Sequence, residues 1–60
     1  MLLNEFTDKL SEQKKELEEV HSKLTFYWMD SDLEPEVNFH VGRTLDFINK
    51  SIAEINKLLE

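Results

Sequence analysis

Several residue types that form disulfides or metal sites, or that interrupt helices, are missing or rare in this sequence. There is no cysteine among its 60 residues, which excludes disulfides and thiolate metal sites. Glycine and proline occur once each, so few positions interrupt a helix. The longest apolar run, residues 26–29, is far shorter than the ~20 residues that span a bilayer. The sequence therefore predicts no disulfide framework and no membrane insertion.

Positive charge is also scarce. Seven Lys and Arg residues stand against thirteen Asp and Glu, which gives a net charge of −6, and the basic residues are scattered along the chain. Binding to nucleic-acid phosphates needs a concentrated basic footprint, so we expect no direct contact with nucleic acid. The segment 1–3 has neither the basic flank nor the apolar length of a signal peptide, and we expect a cytoplasmic protein.

Apolar residues recur in alternating steps of three and four along both halves of the chain, which is the a/d pattern of packed helices. The predicted seam consists of Leu3, Phe6, Leu10, Gln13, Leu17, Val20, Leu24 and Tyr27 in the first half, and of Asn38, Val41, Leu45, Ile48, Ile52, Ile55 and Leu59 in the second. The numbers of facing residues sum to 65, as an antiparallel hairpin requires. We predict an all-α, coiled-coil-like, antiparallel two-helix hairpin as a single domain over residues 1–60.

Turn and capping residues predict where the helices end. We expect helix 1 at about 3–29, capped by Asn4 or Thr7, and the turn at 30–34. Helix 2 is expected at about 35–59, because Pro35 is tolerated only in the first turn of a helix.

The positions that flank the second seam are small and uncharged. One column holds Gly42, Asn49 and Asn56, and the other holds Thr44, Ser51 and Leu58. Flanks of this kind widen the contact face, as in bundles where each helix touches two neighbours. We therefore predict a homodimer that forms a four-helix bundle. The alternative is that these flanks are simply solvated.

Two amides, Gln13 and Asn38, interrupt the predicted seam. A buried amide penalises slipped registers, because a misplaced copy leaves its hydrogen bonds unmade. Either residue would then fix the register, or it would lie partly in water, and the sequence leaves both possibilities open.

Aromatic residues cluster where the first helix ends. Four successive helical residues cannot all face inward, so Tyr27 is assigned to the seam and Trp28 to a position beside Gly42. Exposed aromatic residues are typical anchors of interfaces. The predicted interface, with a second copy or with another protein, consists of Phe26, Trp28, Phe39, Gly42, Phe47, Asn49 and Ser51.

No motif indicates a metal, a cofactor or a catalytic group. The acidic residues around the turn are Asp30, Asp32, Glu34 and Glu36. They depart from a calcium-binding EF-hand loop, which needs glycine and glutamate where Pro35 and Val41 stand. We interpret them as helix-capping and dipole-stabilising carboxylates. His21 and His40 lack ligand-spaced partners, and no serine has a base beside it, so we expect no metal, no cofactor and no enzyme.

A family resemblance rests on Lys14-Lys15-Glu16-Leu17, Leu33 and Leu45-Asp46. These segments resemble the small two-helix aspartyl-phosphate phosphatases that restrain sporulation in bacilli. In that family a helical hairpin binds a phosphorylated response regulator, and its second helix carries the signature Ser-x-x-Leu-Asp. Here Leu45-Asp46 matches the end of the signature, and Gly42 stands where the family has serine. The resemblance implies that Asp46 would lie nearest the transferred phosphoryl group.

Three functions remain open at this point. The first is a non-enzymatic interaction module or regulator that self-associates and binds a protein partner. The second, implied by the resemblance, is a phosphatase-like regulator of a response regulator. The third is an acidic inhibitor that mimics nucleic-acid phosphates in a basic groove through Glu12, Glu16, Glu18 and Glu19.

Overall fold

Two long α-helices make up almost all of the described chain. The computed structural model describes residues 2–60, with side chains from residue 4 onward. Helix α1 spans Leu2–Met29 and helix α2 spans Pro35–Leu59. The two helices pack against each other as a rod of 49 × 15 × 14 Å. The predicted all-α helical hairpin is confirmed, and its helix bounds lie within one residue of those expected from the sequence.

The beginnings of the two helices differ from the predicted capping. Helix α1 begins at Leu2, ahead of Asn4 and Thr7, so neither of them is its N-cap. Glu34 is the N-cap of α2, with φ −63° and ψ 151°, but its side chain makes no capping hydrogen bond. The capping role predicted for this carboxylate is therefore wrong. Pro35 begins α2 as expected, at a position where a missing N–H removes no helical hydrogen bond.

Ser31 closes the C-terminal end of α1. Its hydroxyl donates to the carbonyl oxygen of Tyr27 at 2.7 Å, and its backbone N–H donates to the carbonyl oxygen of Trp28 at 3.1 Å. These bonds satisfy carbonyl groups that the end of a helix leaves without an intrahelical donor. A short connection to Pro35 follows.

Helix α2 turns its predicted seam toward α1. Leu45 is 7% exposed and is the only buried side chain among residues 4–60. The other seam positions of α2 are half-buried: Asn38, Val41, Ile48, Ile52, Ile55 and Leu59. The sequence pattern of α2 is thus confirmed at every position.

Helix α1 is rotated relative to its predicted seam. Its half-buried residues are Thr7, Leu10, Lys14, Leu17, His21, Leu24, Thr25 and Trp28. Phe6, Gln13, Val20 and Tyr27 were assigned to the seam and are exposed. The side chain of Leu3 lies outside the described residues. The prediction for α1 is therefore right at Leu10, Leu17 and Leu24 and wrong at the exposed positions.

The rotation of α1 follows from the contacts of Trp28. Leu10, Leu17 and Leu24 fit two alternating patterns equally well. One pattern continues three residues after each leucine, at Gln13, Val20 and Tyr27, and the other continues four residues after, at Lys14, His21 and Trp28. Because Trp28 packs against Gly42 and donates a hydrogen bond to Asn38, it is the second pattern that faces α2.

Along the described part of the chain, neither helix is long and apolar enough to cross a membrane.

Candidate interaction surfaces

A hydrogen-bonded group at the turn joins α1, the connection and α2. The indole Nε1–H of Trp28 donates to Oδ1 of Asn38 at 2.8 Å, and Nδ2 of Asn38 donates to the carbonyl oxygen of Leu33 at 3.1 Å. Both Trp28 and Asn38 are half-buried. Because the two ends of one amide are used, Asn38 fixes the relative position of all three segments. The possibility that Asn38 is merely solvated is excluded.

The predicted fit of Trp28 against Gly42 is confirmed. A β-carbon added at Gly42 would lie 3.5 Å from Cη2 of Trp28, which is ordinary van der Waals contact. Trp28 therefore packs within the hairpin, although the sequence suggested it for contacts beyond the seam. The indole is needed there, because a large ring on α1 fills the space above the smallest residue on α2.

A small cavity of 130 Å³ opens beside the turn. Its lining consists of Leu24, Tyr27, Trp28, Ser31, Leu33 and Val41. Leu24 and Tyr27 come from α1, whereas Val41 comes from α2, so these residues lie on the same side of the hairpin. On this side of the hairpin, the stripe of α1 that contains Leu24 and Tyr27 is therefore continuous with the stripe of α2 that contains Val41.

That surface, called here the uncharged face, extends along the whole rod. Helical periodicity carries it from Tyr27 down α1 and from Val41 along α2, in steps of three and four residues. It consists of Phe6, Leu10, Gln13, Leu17, Val20, Leu24 and Tyr27 on α1, and of Val37, Val41, Thr44, Ile48, Ser51, Ile55 and Leu58 on α2. None of these residues carries a charge, and the charged column Lys9, Glu16 and Lys23 borders the face on α1.

The outer columns of the uncharged face are open to solvent. On α1, Phe6 is 57% exposed and Tyr27 is 61% exposed, with Val20 exposed between them. On α2, Val37 and Leu58 are exposed at opposite ends of the helix. Apolar side chains left wet in a row, with uncharged polar residues between them, are typical of a surface that another chain covers.

A second surface lies on α2 and is called here the arginine ladder, consisting of Phe39, Arg43, Phe47 and Lys50. The Cζ atom of Arg43 lies 5.7 Å from the ring centroid of Phe39 and 5.5 Å from that of Phe47. The Nζ atom of Lys50 lies 5.8 Å from the ring centroid of Phe47. These distances are within the range of cation–π attraction.

Phe39 and Phe47 were predicted from the sequence as interface residues, whereas Arg43 between them was not. The available signal was the spacing, because residues four apart on a helix are neighbours on its surface. A cation placed four residues from an aromatic ring on either side is held over both rings.

The remaining predicted interface residues lie at separate places. Phe26 is exposed and meets the ring of Tyr27 edge-on at a centroid distance of 6.2 Å. It lies two residues from Leu24, which is about 200° around the helix and hence on the far side of α1 from α2. Asn49 and Ser51 are both exposed, and only Ser51 belongs to the uncharged face. The structure does not bring these residues into one patch.

Asp46, which the family resemblance would place near a phosphoryl group, is held in an ion pair. Its Oδ2 lies 3.0 Å from Nζ of Lys50, and both side chains are largely exposed. Gly42, at the position of the family's serine, is covered by Trp28. The structure therefore shows a solvent-facing ion pair at this position.

A shallow, open depression of 530 Å³ lies on the outer side of α1, with Lys15, Glu18, Glu19, Ser22 and Lys23 around it. Two lysines flank the two glutamates there, so the acidic residues do not form an uninterrupted negative surface. Within the described residues, no group of three or more His, Asp or Glu side chains is placed to hold a metal ion.

Comparison of the chain with protein-family models, with curated proteins and with solved structures finds no match. The resemblance to the two-helix phosphatases stays a prediction.

Proposed function

We propose that this chain is a protein–protein interaction module that self-associates, two hairpins meeting through their uncharged faces to form a four-helix bundle. The observation that carries the proposal is the uncharged face, with Phe6, Val20 and Tyr27 in an exposed row on α1. Covering this row removes apolar surface from water, which is the main favourable term in association. The module then contacts other proteins through the surfaces that the bundle leaves open.

The small core of a single hairpin also supports the proposal. Leu45 is the one side chain below a tenth exposed among residues 4–60, and the other inward-facing residues keep part of their surface in water. A chain of this size has a marginal core, which a disulfide, a metal or a second chain often reinforces. Cysteine is absent, and in the proposed dimer a second copy of the chain supplies further burial.

In this arrangement, one side of each helix contacts the other helix of its own hairpin and an adjacent side contacts the second copy. Leu10, Leu17 and Leu24 lie at the border between the hairpin interior and the uncharged face, so they touch both α2 and the second copy. Gln13 and Ser51 lie near the middle of the face, where their side chains can hydrogen-bond across the bundle. Both are exposed in the single hairpin and are free to reorient.

Sedimentation equilibrium over a range of concentrations tests the proposal. The wild-type chain is expected to show twice its 7.2 kDa mass. Tyr27→Glu is expected to raise the dimer dissociation constant by roughly tenfold or more, because a carboxylate would be placed between apolar side chains. Circular dichroism of both chains checks that helix content is retained.

Phe26→Glu is the matched control. Phe26 is as exposed as Tyr27 and adjacent to it, but lies on the far side of α1, so this substitution is expected to leave the dimer intact. A wild-type chain that stays at the mass of one chain at every concentration contradicts the proposal. Equal weakening by the two substitutions contradicts the assignment of the face.

A further inference from the structure

The chemistry of the arginine ladder bears on the kind of protein segment that would bind this chain. Arg43 is the only arginine of the sequence. Its guanidinium is held between the rings of Phe39 and Phe47, at 5.7 and 5.5 Å from their centroids. Both rings are exposed, so the whole group stands at the surface of α2.

Arg43 contacts two aromatic rings but has no carboxylate partner within the described residues. The acidic side chain nearest by helical spacing is Asp46, three residues on, and it is paired with Lys50 at 3.0 Å. A guanidinium carries five N–H donors in a planar fork that matches a carboxylate. Arg43 lies against two rings and is exposed, so its donors are accessible from solvent in a chain where acidic groups outnumber basic ones thirteen to seven.

The ladder stays accessible when the uncharged face is covered. Arg43 lies two residues from both Val41 and Leu45, which face α1, and two residues turn a helix by about 200°. The ladder is therefore on the side of α2 that faces away from α1. A second copy of the chain on the uncharged face leaves Arg43 and Phe39 in water, whereas Phe47 lies at the border of that face, three residues from Thr44 and four from Ser51.

We propose that the arginine ladder binds an acidic segment of a partner protein, in which a carboxylate lies next to an apolar side chain. The carboxylate accepts two hydrogen bonds from the guanidinium of Arg43, and the apolar side chain packs on the rings of Phe39 and Phe47. Aromatic residues and arginine are the types that dominate binding energy at protein interfaces. This inference rests on the proposed role as an interaction module, but it does not depend on self-association.

A carboxylate fits the ladder better than a nucleic-acid backbone does. A run of phosphates needs a row of cations, whereas the ladder offers Arg43 and a Lys50 that is already paired with Asp46. One carboxylate beside apolar groups matches one guanidinium between two rings.

The test selects random displayed peptides on the immobilised wild-type chain. The selected sequences are expected to be enriched in Asp or Glu next to Leu, Phe or Trp. The strongest peptide is then synthesised with a fluorescent label, and its affinity is measured by anisotropy. Arg43→Gln is expected to weaken binding by about tenfold or more, because it removes the positive charge and the planar set of N–H donors. Circular dichroism checks that the variant keeps its fold.

Three further variants sharpen the measurement. Arg43→Lys is expected to recover only part of the affinity, since an ammonium group lacks the planar fork. Phe47→Leu is expected to weaken binding although it keeps an apolar side chain, because the ring that holds Arg43 is lost. Lys23→Gln, which removes an exposed positive charge from α1, is the matched control and is expected to change nothing.

Selected peptides without acidic enrichment, binding that is indifferent to Arg43→Gln, or the absence of any selected binder would overturn the inference. The mass of the complex in the same samples separates the two proposals. A single hairpin that binds the peptide through Arg43 refutes self-association alone. A dimer that shows no Arg43-dependent binding refutes the partner assignment alone.

Discussion

The two helices of this hairpin use their apolar residues differently. Helix α2 directs most of its branched aliphatic residues toward α1, with Leu45 buried, and leaves Val37 and Leu58 exposed near its two ends. Helix α1 instead turns Lys14 and His21 partly inward and leaves Val20 and Tyr27 in water. A helix that serves one neighbour needs one apolar stripe. The difference shows that the apolar residues of α1 extend beyond the part of that helix that α2 covers.

The largest effect is expected in the buried centre of α2. Leu45→Ala should lower the free energy of unfolding by about 3 kcal/mol, because it removes apolar contacts and leaves a cavity. Urea denaturation at fixed protein concentration, followed by circular dichroism, measures the change. Phe47→Ala, a larger truncation on the exposed side of the same helix, is the control and should cost much less. Equal losses would show that Leu45 is not the centre of the core.

The next effect concerns the amide that joins the two helices at the turn. Asn38→Ala should lower the free energy of unfolding by about 1–2 kcal/mol, because the half-buried indole N–H of Trp28 loses its acceptor. Urea denaturation followed by the fluorescence of the single tryptophan measures this. Asn49→Ala, at an exposed position of the same helix, should change stability little. If both substitutions behave alike, the bond from Trp28 does not hold the turn.

The inward side of α1 gives a stabilising prediction. Lys14→Leu should raise the free energy of unfolding by about 1 kcal/mol, because an apolar side chain would replace a lysine that is half-buried against α2. Lys15→Leu, one position along and exposed, should give no comparable gain in the same urea titration. The reverse order would mean that α1 presents a different face to α2.

The smallest effect is expected at the glycine of α2. Gly42→Ala should raise the free energy of unfolding by about 0.5–1 kcal/mol, because alanine favours the helix and its β-carbon would meet Trp28 at an ordinary 3.5 Å. Gly42→Leu should destabilise, since a longer side chain would have to displace the indole. Thermal unfolding measures both variants. A destabilising alanine would place Trp28 closer to α2 than the structure has it.

Much of the fold could be predicted because several signals agree. The aliphatic pattern of α2 has one consistent phase, and Pro35 marks where that helix begins. The fit between Trp28 and Gly42 followed from their sizes and positions. The phase of α1 could not be read in the same way, because Leu17 fits a pattern with Val20 as well as one with His21. Its apolar side chain made Val20 the expected residue to face α2, whereas the packing and the hydrogen bond of Trp28 turn His21 toward α2 instead.

The candidate surfaces could be predicted only in part. Phe39 and Phe47 were among the predicted interface residues, whereas Arg43 was not, because its place between the two rings shows only in the spacing of four residues on either side. Ser51 belongs to the uncharged face, whereas Phe26 lies on another side of the rod. Patterns on one helix identify stripes, and only the packing of two helices shows which stripes join.

The central claim is that the exposed row of α1 meets a second copy of the chain. Isotope-filtered nuclear Overhauser spectra of a mixture of labelled and unlabelled chains report contacts between copies alone. The account predicts intermolecular signals from the Val20 methyls and from the rings of Phe6 and Tyr27, with none from Phe39. Intermolecular signals confined to Phe39 and Phe47, or no intermolecular signals at concentrations well above micromolar, would contradict it.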